Sequence, residues 1–186
     1  MDVTVAGHQV DTGEALREHA EQRVAEITEK YFSRAIGANV TFGRGPNNDY
    51  TCDIVAPVMQ GVVLKASHSA REAQMAFNGA ADRIEKQLRR YAGRLKEHKV
   101  DDAPPFVENA GYTIFSERAE REEEATFPAI VAETRVDIPE SSVSDAVMLM
   151  DLRNTNALLF KNSVSGAHNM IYRREDGTIG WVEPQD

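Results

Sequence analysis

The chain has 186 residues, 21 Lys+Arg against 30 Asp+Glu, a formal net charge of -9 and a single cysteine. That length suffices for one sizeable domain or two small ones, and one cysteine excludes an intrachain disulfide and argues against a small secreted scaffold. The start, Met1-Asp2-Val3-Thr4, lacks a basic or apolar leader, and no run approaches the roughly 20 apolar residues of a membrane span, so a soluble cytoplasmic protein is expected.

From the N-terminus, Asp2 to Gly7 alternates with Val3 and Val5 on one side and predicts a short strand. Asp11 followed by Glu14 is a capping-box pattern that predicts a helix to about Tyr31, with Leu16, Ala20, Val24, Ile27 and Tyr31 as its apolar stripe. Ala38 to Phe42, Tyr50 to Ala56 and Gly61 to Ser67 read as three strands separated by turn-forming stretches. A second helix then runs to about Lys99. Phe77, Ala81, Ile84, Leu88, Tyr91 and Leu95 recur at four- and three-residue spacing, as a buried helical stripe requires.

That last helix also carries the chain's main charge anomaly. Between Arg83 and Lys99 stand seven basic residues (Arg83, Lys86, Arg89, Arg90, Arg94, Lys96, Lys99) and two acidic ones, Glu85 and Glu97. At about 100° per residue, Arg83, Lys86, Arg90 and Arg94 fall opposite the apolar stripe. Few acidic i,i+4 partners neutralise this row, so it suits a phosphate backbone better than a merely solvated face. Charge is segregated along the chain. Residues 1–100 hold 14 basic and 13 acidic residues, net +1; residues 101–127 hold 2 and 8, net -6; residues 128–186 hold 5 and 9, net -4. The acidic average therefore says little about the first part.

Residues 1–100 are expected to form an α+β domain in the order β-α-β-β-β-α, a two-layer sandwich with both helices on one face of the sheet. Residues 101–127 open on Asp101-Asp102-Ala103-Pro104-Pro105 and read as a flexible acidic linker, with a short helix over Glu117 to Ala125. Residues 128–186 read as a small domain, β-α-β-β-β: a strand over Ile130 to Ile138 ended by Pro139, a helix over Ser141 to Met150 with Val143, Val147 and Met150 on one side, and strands over Ala157 to Lys161, His168 to Arg174 and Thr178 to Glu183. Asp176-Gly177 marks the last hairpin. One helix cannot cover both faces of so apolar a sheet, and about 60 residues are marginal alone, so pairing with a second copy is expected. Leu158, Phe160, Met170, Tyr172 and Trp181 are the candidate contacts.

Two sets of residues then bring a family into view. In the first half they are Glu14-Ala15-Leu16-Arg17-Glu18, Lys65-Ala66-Ser67, Asp82-Arg83-Ile84, Gln87-Leu88 and Leu95-Lys96-Glu97-His98; in the tail, Ile171-Tyr172-Arg173-Arg174-Glu175-Asp176-Gly177 and Gly180-Trp181-Val182-Glu183-Pro184. With these the chain resembles the long form of the bacterial ribosome hibernation promoting factors, the ribosome-associated inhibitor or sigma-54 modulation family. The resemblance implies a protein that binds the small ribosomal subunit and its ribosomal RNA in the messenger and transfer RNA channel, blocks translation when growth stops, and joins ribosomes through a homodimer of its tail. By position the matching cations are Arg17 and Arg23 on the first helix and Arg83, Lys86, Arg90, Arg94 and Lys96 on the last; Lys30 and Arg89 extend the same patches on physical grounds. Glu26 stands where relatives often have Lys, and Glu72 and Gln74 replace the usual Asp and Tyr.

Enzymatic constellations are thin. His8, His19, His68, His98 and His168 are scattered without metal-ligand spacing, Gly43-Arg44-Gly45 lacks the end of a phosphate-binding loop, and Ser163-Val164-Ser165-Gly166 lacks nucleophile-elbow flanks. No catalytic residue, metal site, cofactor, small-molecule substrate or membrane partner is expected. Cys52 reads as a buried strand residue. Two rival binding roles are separable: a regulator of RNA polymerase would not sediment with ribosomes, and a general duplex-RNA module would bind free duplex as well as it binds ribosomes.

Overall fold

The structure, a computed structural model, describes residues 2–32, 37–59, 62–97, 107–115 and 130–185. Strand β1 (Asp2–Gly7) leads through helix α1 (Glu14–Tyr31) to β2 (Gly37–Arg44), β3 (Tyr50–Met59) and β4 (Val62–Ala70), and helix α2 (Ala73–Glu97) follows. The sheet order is β1-β2-β3-β4: β1 pairs parallel with β2 across the α1 crossover, and β2, β3 and β4 form an antiparallel meander. Alternation decides the buried face. Ala38, Val40 and Phe42 on β2, Cys52, Ile54, Ala56 and Val58 on β3, and Val62, Leu64 and Ala66 on β4 all point to the helical layer. Ala20, Val24 and Ile27 of α1 and Phe77, Ala81, Ile84 and Leu88 of α2 meet them there. This is the two-layer α+β sandwich expected from the periodicities. Pro57 stands at a register shift in β3, beyond the reach of its pairing with β2, where a missing N–H is tolerated.

Helix α1 starts later than its capping box predicts. The N-cap is Gly13, without a side-chain cap, and its carbonyl accepts from the Leu16 and Arg17 amides. The chain needs a tight turn first: a Cβ on Gly7 would lie 2.0 Å from the Val10 carbonyl oxygen, and Gln9 takes φ 59°. Asp11 is used up in that approach and sits two residues short of the cap position.

The second unit departs further from expectation. Strand β5 (Val107–Phe115) pairs antiparallel with β6 (Ile130–Ser141), so the linker expected over 101–127 is corrected at residues 107–115. Glycine, asparagine and glutamate dilute the apolar alternation of β5, and its pairing with β6 supplies what the sequence pattern does not advertise. The expected helix over Glu117 to Ala125 lies outside the described residues. Pro139 does not end β6, which continues to Ser141; β5 faces Pro139 near its own end, and β6 pairs with the next strand only at Glu140 and Ser141. Helix α3 (Val143–Leu152) is capped by Ser142, whose Oγ accepts from the Asp145 amide. Strands β7 (Ala157–Asn162), β8 (His168–Arg173) and β9 (Ile179–Val182) complete the sheet order β5-β6-β7-β8-β9. Asn154 (φ 48°) and Gly177 (φ 80°) make the left-handed turns after α3 and between β8 and β9.

Helix α3 is buried more widely than one stripe allows. Ala146, Met148, Leu149, Met150 and Leu152 are all buried, whereas Val143 and Val147 of the expected stripe are only half-buried. Three consecutive apolar residues cannot share one face of a helix; such a helix needs neighbours on several sides. It packs on β6 and β7 of its own sheet and on β4 and α2 of the first unit. The outer strand β4 of the first sheet is thereby partly covered.

Candidate nucleic-acid interface

Helix α2 has 25 residues and is roughly 37 Å long at 1.5 Å per residue. Its apolar stripe fixes its rotation on the sheet, and eight of the nine expected RNA-contact residues fall into three groups. On the outward ridge, Lys86 and Arg89 are exposed and make no ion pair among the described residues; the same holds for Arg17 on the neighbouring α1. These three of the expected cations are exposed and unpaired among the described residues, two on the outer ridge of α2 and one on α1.

The second group lies between α1 and α2. Arg23 Nη2 donates to Glu85 Oε2 at 2.8 Å, and Lys30 Nζ approaches Glu85 Oε1 at 3.3 Å. Arg23 also lies 3.9 Å from both Glu26 and Asp82, so Glu26 adds an acid beside a matching cation. The hydrogen bond from Lys30 and the Arg23 charge hold the Glu85 carboxyl below its ordinary range. These two cations tie the helices together, and their charge is locally compensated.

The third group faces β4 and α3. Arg83 Nη1 donates to the Ser67 carbonyl on β4 at 2.6 Å. Arg90 Nη1 donates to Asp151 Oδ2 at 2.7 Å, and Arg94 Nη1 to the Ser144 carbonyl at 3.0 Å. Three of the four cations in the row expected to lack acidic partners, all but Lys86, thus find oxygen acceptors, supplied by other elements and not by their own helix; only the tertiary fold brings them there. Lys96 belongs to α2, but its side chain is outside the described residues, as is all of Lys99.

Asp151 is the acidic partner of this helix that sequence reasoning missed. Its Oδ2 also accepts from Tyr91 Oη at 2.8 Å, its Oδ1 from Arg173 Nη2 at 2.5 Å, and its backbone carbonyl from Gln87 Nε2 at 2.7 Å. Burial alone would push this carboxyl up, but the hydrogen bonds from Arg173 and Tyr91 and the charges of Arg173 and Arg90 outweigh it and hold it below the ordinary carboxylate range. Burial and the neighbouring carboxylate push the Tyr91 phenol up, so it remains a donor. An aspartate in the run Met150-Asp151-Leu152-Arg153 carries no sequence signal for a partner sixty residues away.

In the second unit, alternation divides the expected dimer contacts. Met170 (39 % exposed) stands opposite Leu159 (45 %) and Val182 (47 %) on the sheet face away from α3. Tyr172 shares that face and lays its ring over Gly180, where an added Cβ would fall 2.4 Å from the ring. Leu158 and Phe160 are buried on the α3 side of the single chain. Trp181 also points to that side, and its indole N–H donates to Asn169 Oδ1 at 2.8 Å, but it is half exposed. Leu159 and Val182 share the open face with Met170. Because Leu158, Leu159 and Phe160 are all apolar, the sequence could not say which of them faces outward. The end of the open face is polar, with Glu108 bridging Lys161 at 3.2 Å and His168 at 2.8 Å.

Cys52 is fully buried, and burial together with Asp53 pushes its thiol up to about 12, which removes it as a nucleophile. Among the described residues no group of three or more His, Cys, Asp or Glu is placed to hold a metal, and no helix is long and apolar enough to cross a membrane.

Comparison with known proteins places this geometry. The profile of the family described as "Sigma 54 modulation protein / S30EA ribosomal protein" matches residues 3–96, and that of "Sigma 54 modulation/S30EA ribosomal protein C terminus" matches residues 125–180. The chain belongs to this family. It is 34% identical over 185 residues to the "Ribosome hibernation promotion factor" of Rhizobium meliloti (strain 1021), covering 98% of this chain and 97% of that one. It is 33% identical to the protein of the same name from Bradyrhizobium diazoefficiens, over 99% of this chain and 95% of the relative, and 22% identical to that of Bacillus subtilis (strain 168), over the full length of both. The family profiles thus cover nearly all of the first unit and the second unit from β6 to the start of β9, and the alignments to the relatives extend over nearly the whole chain.

Proposed function

We propose that this chain is a ribosome hibernation factor: its first unit binds ribosomal RNA of the small subunit in the channel used by messenger and transfer RNA, and its second unit pairs with a second copy to join two ribosomes. The observation that carries the first half is the unpaired pair of cations Lys86 and Arg89 on the outward ridge of α2, with Arg17 exposed and unpaired on α1, in a chain whose relatives are named for the ribosome. Guanidinium and ammonium groups spaced along a rod suit phosphates of structured RNA, which is read by shape and backbone rather than by base edges. Each phosphate contact releases counterions, so affinity falls with salt. Inhibition needs no bond making or breaking. Occupancy of the channel suffices, and the role is that of a non-enzymatic binding protein acting in the cytoplasm on the ribosome.

The open face of Leu159, Met170, Tyr172 and Val182 supports the second half. It is an apolar patch on a small sheet, and self-pairing across a two-fold axis is the simplest way to cover it. Sucrose-gradient sedimentation of purified small subunits and of whole ribosomes with the full chain tests both halves. Co-sedimentation with small subunits and a ribosome-dimer peak are expected; binding to free duplex RNA with equal affinity, or to neither, would refute the reading.

A further inference from the structure

We propose that the flank of α2 carrying Arg90 and Arg94 has two competing occupants: helix α3 of the same chain, which closes over it, and ribosomal RNA, which must displace α3 to reach it. This rests on the RNA-binding role proposed above and adds a device that regulates it.

The contact is built from both sides. On α2, Gln87, Arg90, Tyr91 and Arg94 lie three or four residues apart along one flank, the spacing that puts side chains in a line. All four donate hydrogen bonds to α3, at distances of 2.7, 2.7, 2.8 and 3.0 Å. Their acceptors are the carboxylate and carbonyl of Asp151 and the carbonyl of Ser144, so α3 presents oxygens where RNA would present phosphate oxygens. A guanidinium donating to Asp151 cannot at the same time grip a phosphate with those N–H groups. Beneath this polar rim the contact is apolar, because α3 buries Met148, Leu149, Met150 and Leu152 over an arc too wide for its own sheet and rests on β4 and α2 with the remainder. Arg173, from the tail motif, holds the other carboxylate oxygen of Asp151 and fixes the acceptor in place. It is a positioning residue for the closed form.

What the closed form leaves uncovered matters equally. Arg17, Lys86 and Arg89 remain free, so RNA can make first contact before α3 leaves. The face of Leu159, Met170 and Val182 lies on the opposite side of the second sheet and stays open, so closure regulates RNA binding and not self-pairing. The apparent affinity for RNA is then the intrinsic affinity multiplied by the open fraction.

The test uses full-length protein and purified small ribosomal subunits at fixed salt. Gln87→Ala with Tyr91→Phe removes two closing hydrogen bonds from the α2 side and leaves every cation and the whole second unit untouched; Asp151→Asn removes the negative charge from the other side and turns one of the two carboxylate oxygens into an NH2 donor that faces donors. Both variants are expected to bind subunits roughly three- to tenfold more tightly than the unmodified chain. Amide hydrogen exchange over residues 143–152 is expected to accelerate in both variants, and in the unmodified chain when subunits are added. Equal or weaker binding of the Gln87/Tyr91 variant, or unchanged exchange in the subunit complex, overturns the competition while leaving RNA binding intact. Failure of all three proteins to bind subunits refutes the functional reading itself, and the competition with it.

Discussion

Helices α2 and α3 solve opposite problems. In α2 a single apolar stripe is spent on one sheet, and everything else on the helix is free to be charged; in α3 ten residues bury five side chains and need a second surface to do so. The difference teaches that a helix's second occupant can be read from excess hydrophobicity. A cationic face, by contrast, says only that some anion is wanted and not which one. In this structure the first helix's need for an anion and the second helix's need for cover are met by each other.

The comparison is sharpened by perturbing each region separately. The largest effect is expected at the open face: Leu159→Asp with Met170→Asp places two charges in the pairing patch and should abolish the ribosome-dimer peak while subunit binding persists, which gradients and light scattering of the free chain will show. Next, Lys86→Glu with Arg89→Glu acts on the free ridge and leaves the α3 contact alone. Subunit affinity should fall roughly 10- to 100-fold, and the salt slope should drop by about two. Phe160→Ala probes the covered face of the same sheet. A fully buried Phe truncated in a packed core loses about 3–5 kcal/mol, so the second unit should unfold early in a thermal melt, which distinguishes core from contact surface.

The smallest effect concerns acid. Asp151 has its carboxyl held below the ordinary value near 3.9, so its contribution is fully present above that value and is lost as pH falls through the depressed one. Urea unfolding at pH 6 and pH 3 should therefore show a larger acid loss in the unmodified chain than in Asp151→Asn. An equal loss would mean that the carboxylate contributes nothing to closure.

Much of this arrangement was legible beforehand at particular residues. Phe77, Ile84 and Leu88 announced the stripe of α2 and hence the side on which Lys86 and Arg89 would stand, because helical spacing alone relates those positions. The strand β5 was not legible, since Glu108, Asn109 and Gly111 break the alternation that would have marked it. That Leu158 and Phe160 would be the residues covered by α3 was not legible for a related reason: a strand with apolar residues on both faces has no preferred side until a helix covers one of them.

By itself, then, the sequence determined the elements, their inward faces and the local concentration of positive charge, all of which follow from periodicities of two and 3.6 along the chain. Which cations are free and which are answered was decided by the tertiary structure alone. Glu85 reaches Arg23 across two helices and Asp151 reaches Arg90 across two units, and the Coulomb and hydrogen-bond terms that set their state depend on distances in space of about 3 Å between residues some sixty positions apart.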